Sequence, residues 1–270
     1  MEKSLFEEII LRKKKEIEQK KKKISIGELA KKAMSLTLKN QYKNQIFYKR
    51  IKVPLVGDIS IIGEIKLKSP TSGILSYECN VEEIAKSYQS GYCDALSIVV
   101  DSRYFGGNPT YISKVKNAVS LPVLFKDFVL DTYQIYEALS VGADAILLLA
   151  RLDKYYDQDF DEILEIGNLL PIVEVGSEDE LELDIVKNAK VIGVNARDLD
   201  TFEVDVKKAC RIIEKIPKDK LIIGFSGVNS RREVEMYKKA GASAVLVGTS
   251  LMNQKNPYEL LRELKGLPKI

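Results

Sequence analysis

From about residue 60 the chain alternates between short apolar runs and segments whose apolar positions recur with a helical period. The runs are IIGEIK (61–66), ALSIVV (95–100), LPVLFK (121–126), DAILLL (144–149), PIVEV (171–175), VIGVN (191–195), LIIGF (221–225) and ASAVLVG (242–248). Helix-like segments follow at 81–90, 110–118, 132–141, 157–167, 178–188, 206–215 and 230–240, with a last one at about 256–265. Runs this rich in Val, Ile and Leu predict strands buried on both faces, hence a parallel sheet beneath helices. Gly-Ala-Asp at 142–144 and Gly-Ala-Ser at 241–243 read as turns in which glycine stops a helix before the next strand. Eight strands alternating with eight helices predict an α/β fold, a (β/α)8 TIM barrel. The alternative, a doubly wound open sheet, carries a glycine-rich fingerprint after its first strand. Here Lys-Leu-Lys-Ser-Pro (66–70) occupies that place.

Ahead of the barrel, Glu2 to about Lys23 reads as a helix with Phe6, Ile9, Ile10 and Ile17 on one side. It ends in Lys20–Lys23, a solvated terminus where lysines suit the negative pole of the helix dipole. A polar connecting region then runs to about Ser60. No low-complexity linker divides the chain. The expectation is one barrel domain over residues 1–270, with residues 1–60 as an N-terminal helical extension.

Composition narrows the chemistry. The 270 residues contain no histidine, which excludes Ser-His-Asp and Cys-His catalysis and His-ligated metals. Acid–base work must come from Lys, Asp, Glu, Tyr or Cys. The three cysteines, Cys79, Cys93 and Cys210, are odd in number and lack CxxC spacing. Free thiols in a reducing cytoplasm are expected. A net charge of +3 gives no reason to expect nucleic acid as a partner. No apolar run approaches the ~20 residues that span a bilayer, so no membrane association is expected.

In such a barrel the chemistry lies where strands end. Glu64 and Lys66 share a face at the end of the first strand. Lys126 ends the third, Glu174 sits between Val173 and Val175 in the fifth, and Asn195 ends the sixth, with Arg197 two residues on. A charge in an apolar strand is costly unless paired. A single case is most simply a structural ion pair. Several at the same ends of four strands point to an enzyme whose lysines and carboxylates shift one another's pKa values. Phe225 leads into Ser226-Gly227 after the seventh strand. Gly248-Thr249-Ser250 follows the eighth, before a short extra helix at Leu251-Met252. Barrels often grip phosphate with these two loops.

The stretches GEIKLKSPTSG, PVLFKDFVLDTYQI, VGADAILLL, IVEV, IGVNARDLDTFEVD and LVGTSLM together resemble the indole-3-glycerol phosphate synthases of tryptophan biosynthesis. The resemblance spans nearly the whole chain and is strongest over 61–252. It implies a barrel with a helical N-terminal segment beside the mouth. The implied substrate is 1-(2-carboxyphenylamino)-1-deoxyribulose 5-phosphate, whose ring closure expels CO2 and water. No cofactor or metal is implied, and a monomer is expected.

By the same resemblance Lys126 is the general acid, Lys66 contacts the substrate carboxylate, and Glu174 moves a proton during dehydration. Glu64 and Asn195 hold hydroxyls and catalytic side chains, and Arg197 supplies a supporting charge. Ser69, Ser226, Gly227, Gly248 and Thr249 line the phosphate site. Phe105 and Phe128 form an apolar wall for the aromatic ring, or simply pack near the mouth. One departure stands out. The family usually reads Glu-Ser-Gly where this chain reads Phe225-Ser226-Gly227. A smaller one is Val99-Val100-Asp101, where the family often has Leu-Thr and an acid. Two other readings remain at this point: another phosphate-binding barrel such as phosphoribosylanthranilate isomerase, and a barrel that binds its ligand without efficient turnover.

Overall fold

In a computed structural model of the chain, residues 4–39, 45–70, 73–75, 80–156 and 158–268 are described. Glu2, Thr71, Ser72 and Cys79 lie outside them. Eight parallel strands close into a barrel: β1 (Ser60–Ile65), β2 (Ala95–Val99), β3 (Val123–Lys126), β4 (Ala145–Leu149), β5 (Leu170–Val175), β6 (Val191–Asn195), β7 (Leu221–Phe225) and β8 (Ala244–Val247). Each pairs with its neighbours in sequence, and β8 returns to β1 through Ser60 opposite Ala244. The register sets Val99 beside Lys126, Leu149 beside Glu174, and Asn195 beside Phe225. The polar strand ends therefore converge on one rim.

Outer-layer helices follow the strands: α4 (Val81–Ser90), α6 (Thr110–Ala118), α7 (Thr132–Ser140), α8 (Gln158–Gly167), α10 (Val206–Lys215), α11 (Arg231–Ala240) and α13 (Tyr258–Leu264). Their starts are fixed locally. Asn80, Asp131, Asp205 and Ser230 each accept backbone N–H groups of the first turn. Two turns of helix also line the rim, α5 (Ser102–Phe105) and α12 (Thr249–Met252).

Two regions differ from the sequence expectation. Segment 178–188 is not one helix but a 3₁₀ turn, Asp179–Glu182, and a short α9 (Asp184–Asn188), separated by an extended Leu183. Crowded like charges oppose a continuous helix here, and Glu180 is drawn aside to accept the Gly176 N–H at 2.6 Å.

The stretch read as a polar connection contains two helices, α2 (Ile26–Lys39) and α3 (Ile46–Lys52), after α1 (Leu5–Lys23). α2 buries Leu29 and Ala33 and packs against α7. α3 lies beside the start of β1, burying Phe47 and Ile51, and its Arg50 carbonyl accepts the Ser60 hydroxyl.

The inner core fills the barrel with residues such as Ile62, Leu124, Leu147, Ile172, Ile223, Phe225 and Leu246. It continues into α1 through Phe6, Ile10 and Ile17. A second layer packs the strands' outer faces against the helices. A fully buried ion pair ties the last residues to the barrel. Lys265 Nζ lies 2.6 Å from Asp94, which also accepts the Leu55 and Ile61 N–H groups. No described helix is long and apolar enough to cross a membrane.

Candidate active site

The rim opens into a cavity of about 290 Å³. Every residue singled out from the sequence lines it: Glu64, Lys66, Ser69, Phe105, Lys126, Phe128, Glu174, Asn195, Arg197, Phe225, Ser226, Gly227, Gly248 and Thr249. Of the cysteines, Cys93 is buried and Cys210 sits on α10, and neither reaches the cavity. Among the described residues no acidic, histidine or thiol cluster is arranged to hold a metal.

Glu64 is the electrostatic centre. Its Oε1 lies 2.7 Å from Lys66 Nζ and its Oε2 3.5 Å from Lys126 Nζ. Burial pushes the Glu64 carboxyl up, but the two ammonium groups outweigh it and hold its pKa near 2. For Lys126 burial acts downward, and Glu64 and Glu174 overcome it, so its pKa lies above the ordinary lysine value. Lys126 is therefore a cation throughout the neutral range.

Glu174 is the opposite case. Burial raises its pKa, and the opposing Lys126 charge and Asn195 hydrogen bond do not cancel the rise. Its Oε1 accepts the Asn195 amide at 2.9 Å, whereas its buried Oε2 has no hydrogen-bond partner among the described residues. A cavity-lining carboxyl whose pKa is raised is suited to moving a proton.

Asn195 is locked at both ends. Its Oδ1 accepts the Ser226 hydroxyl at 2.8 Å and the Arg197 backbone N–H at 2.9 Å. The Ser226 side chain is thus committed to Asn195, a role its sequence context does not announce. Arg197 turns back to the Phe202 carbonyl at 3.0 Å. Ser226 and Gly227 both have positive φ, 68° and 74°, which bends the chain sharply out of β7. Gly248 is equally constrained: a Cβ there would lie 2.4 Å from Glu64 Oε1 and 3.1 Å from Lys66 Nζ.

Phe225 is 2% exposed and belongs to the inner core. Its ring occupies space that exists because residue 193 is glycine, where an added Cβ would meet the ring at 2.6 Å. It closes the floor of the cavity with an apolar surface.

The opposite wall is aromatic. Phe128 meets Phe105 at 6.3 Å between centroids and Phe6 of α1 at 6.1 Å. The Arg151 guanidinium lies over the Phe6 ring at 4.0 Å from its centroid. Phe6, Ile9, Leu147, Leu149 and Leu199 line the cavity without having been singled out from the sequence. The Phe6 and Ile9 pair on the apolar side of α1 was the available signal.

The family model described as "Indole-3-glycerol phosphate synthase" matches residues 6–264. The chain is 37% identical over 264 residues to the indole-3-glycerol phosphate synthase of Caldanaerobacter subterraneus subsp. tengcongensis, covering 97% of this chain and 99% of that one. It is 34% identical to the Alkaliphilus metalliredigens protein of the same name, covering 97% and 98%. Similarity to the corresponding Legionella pneumophila (strain Paris) protein reaches 39% over 206 residues, covering 76% of this chain and 80% of that one.

Among solved structures, a chain of the Pyrococcus furiosus tryptophan synthase complex superposes with a TM-score of 0.58 at 16% identity, covering 79% of this chain and all of that one. A 3-hexulose-6-phosphate synthase gives 0.57 at 16%, covering 77% and 99%. At that identity the likeness concerns the barrel fold alone.

Proposed function

The chain belongs to the indole-3-glycerol phosphate synthase family, and from that membership we propose how its mouth closes the indole ring. The observation that carries the proposal is Glu64 clamped between two lysines, in one cavity with a buried Glu174 whose pKa is raised. Lys126 gives its proton to the substrate carbonyl oxygen as the carboxylate-bearing aromatic carbon attacks the carbonyl carbon. Lys66 contacts the substrate carboxylate and holds the ring within reach. The carbon–carboxylate bond then breaks, CO2 leaves, and its electron pair restores part of the ring's conjugation. Glu174 supplies the proton with which the new hydroxyl departs as water. A proton lost from the methylene carbon between the nitrogen and the former carbonyl carbon completes the aromatic indole.

Glu64 keeps Lys126 charged and aimed until transfer. Asn195, held by Ser226, keeps Glu174 from rotating. The loops after β7 and β8 hold the phosphate through their backbone, so binding energy remote from the reacting atoms orients the substrate. Phe105 and Phe128 flank the aromatic ring. No metal or cofactor enters this scheme.

The test is to add 1-(2-carboxyphenylamino)-1-deoxyribulose 5-phosphate to the purified chain and follow indole fluorescence. The parent should give a signal. Lys126→Ala should lose about 10²–10⁴-fold in kcat while remaining folded. A variant within about threefold of the parent would remove Lys126 as the acid. Phe225 favours a second reading, a family member with impaired turnover, which tight substrate binding without fluorescence would select.

A further inference from the structure

α1 is rich in lysine, and one of its lysines is unlike the rest. The Lys13 side chain is 1% exposed, while Lys14 and Lys15 face solvent. Its Nζ lies 3.0 Å from Asp101 Oδ2 and 2.8 Å from Asp127 Oδ1, whose side chains are 0% and 1% exposed.

These acids belong to different rim loops. Asp127 directly follows Lys126 and precedes Phe128. It also accepts the Gln134 amide of α7 at 3.2 Å. Asp101 follows β2 and caps α5 through the Tyr104 N–H at 2.8 Å. α5 carries Phe105, whose carbonyl accepts the N–H of Leu67, the neighbour of Lys66. One ammonium group from outside the barrel thus joins the two loops that carry the aromatic wall and flank the acid.

Two buried carboxylates that converge on one point repel each other and are poorly solvated. A shared cation reverses that balance, and removing it leaves an uncompensated buried charge. Other charges surround the pair. Arg12 contacts Asp101, Glu16 lies 3.5 Å from Lys13, and Lys20 reaches Glu16 and Glu137 of α7. Among these groups Lys13 alone contacts both aspartates. Burial lowers its pKa, and Asp127 and Asp101 more than compensate, so it stays charged.

We propose that Lys13 is a positioning residue: it draws the loops after β2 and β3 together and thereby sets where Lys126 meets the substrate carbonyl and how Phe105 faces Phe128. The inference rests on the assignment of Lys126 as the acid. Lys126→Ala tests that assignment separately, so failure of one does not imitate failure of the other. Displacement of a reacting group by a fraction of its length is sufficient to slow chemistry without changing substrate binding.

The test compares Lys13→Met, Lys13→Arg and the charge-balanced Lys13→Met/Asp127→Asn in kcat, KM, pH profile and melting temperature. Lys13→Met should lose about tenfold or more in kcat with KM within about threefold, because the phosphate loops are untouched. Its alkaline limb should move to lower pH. In that variant a proton taken up by the aspartate pair stands in for the Lys13 charge at low pH, and its loss as pH rises lets the loops part. Lys13→Arg should recover most of the rate.

The double variant should regain thermal stability but not kcat. A folded Lys13→Met with kcat within about twofold of the parent and an unshifted limb would overturn the proposal. So would a double variant in which kcat returns with stability, which is the signature of a structural role only. If Lys13→Met does not fold, the double variant decides: parental kcat overturns the proposal, and about a tenfold loss supports it.

Discussion

Glu64→Gln keeps the shape of the side chain at the centre of the mouth and removes its charge. In the parent that charge lies 2.7 Å from one ammonium group and 3.5 Å from another, with the Glu64 side chain 4% exposed. At an effective dielectric constant of about 20, attraction at such distances is on the order of 4–6 kcal/mol per pair, before the cost of burial. The folded pKa near 2, against an ordinary 4.5, contains that cost. The difference corresponds to about 3 kcal/mol of stability at neutral pH. Because the folded pKa is the lower one, this stability is present above pH 4.5 and is lost as pH falls towards 2.

Urea unfolding should therefore find Glu64→Gln less stable than the parent by about 3 kcal/mol near neutral pH, with the gap narrowing through the acid range. Kinetics should change with it. Glu64 is the largest influence raising the Lys126 pKa, so the alkaline limb of kcat should move to lower pH in the variant. Equal stability near neutrality, or a gap that stays constant into acid, would refute the electrostatic account of this cluster.

Phe225→Glu should fold with a lower melting temperature and raise kcat/KM about tenfold if one transition-state contact of ~1.4 kcal/mol is gained; steady-state kinetics and calorimetry on one preparation check both. Gly248→Ala should lower kcat/KM by about tenfold or more, since its methyl would lie 2.4 Å from Glu64 Oε1 and force the carboxylate away from the lysines. Parental kinetics there would mean that the Glu64 position is not critical. Lys265→Met strands the buried Asp94 carboxylate and should cost about 3–5 kcal/mol, or roughly 5–9 °C for a chain of this length, with Asp94→Asn in the same chain restoring part of the loss.

The barrel strands are readable in the sequence because each is buried on both faces and so is written in Val, Ile and Leu. Their starts are less sharp. Leu121 and Pro122 continue an apolar run, yet β3 begins at Val123. α3 escapes such a reading because it is seven residues long and carries lysines and an arginine. Its signal is the single Phe47 and Ile51 spacing, and the barrel supplies the surface that makes those two residues core.

Glu64, Lys126 and Glu174 are readable for the opposite reason: a charge within an apolar strand is too costly to be incidental. Lys13 has no such contrast. It sits among other lysines on α1, and only the closed barrel brings Asp101 and Asp127 to it from far along the chain.

The mouth also has a charge balance that follows from position 225. Lys66, Lys126 and Arg197 are three cations, and the carboxylates beside them are two: Glu64, held ionised by its lysines, and Glu174, whose pKa is raised by burial. Asp101 and Asp127 are balanced by Lys13 and Arg12. The cavity is therefore net positive towards a substrate that carries both a carboxylate and a phosphate. A glutamate at 225 would offset one of those cations and offer an acceptor to a substrate hydroxyl. The phenyl ring over Gly193 does neither, and it leaves a more positive and drier floor. Such a floor strengthens the hold on an anionic ligand in its ground state as much as in the transition state. Uniform binding of that kind lowers KM without raising kcat. Phe225→Glu should therefore raise KM by loosening that uniform hold, and raise kcat by more through an acceptor engaged in the transition state; a variant in which KM falls would show that the ring was obstructing the substrate rather than over-binding it.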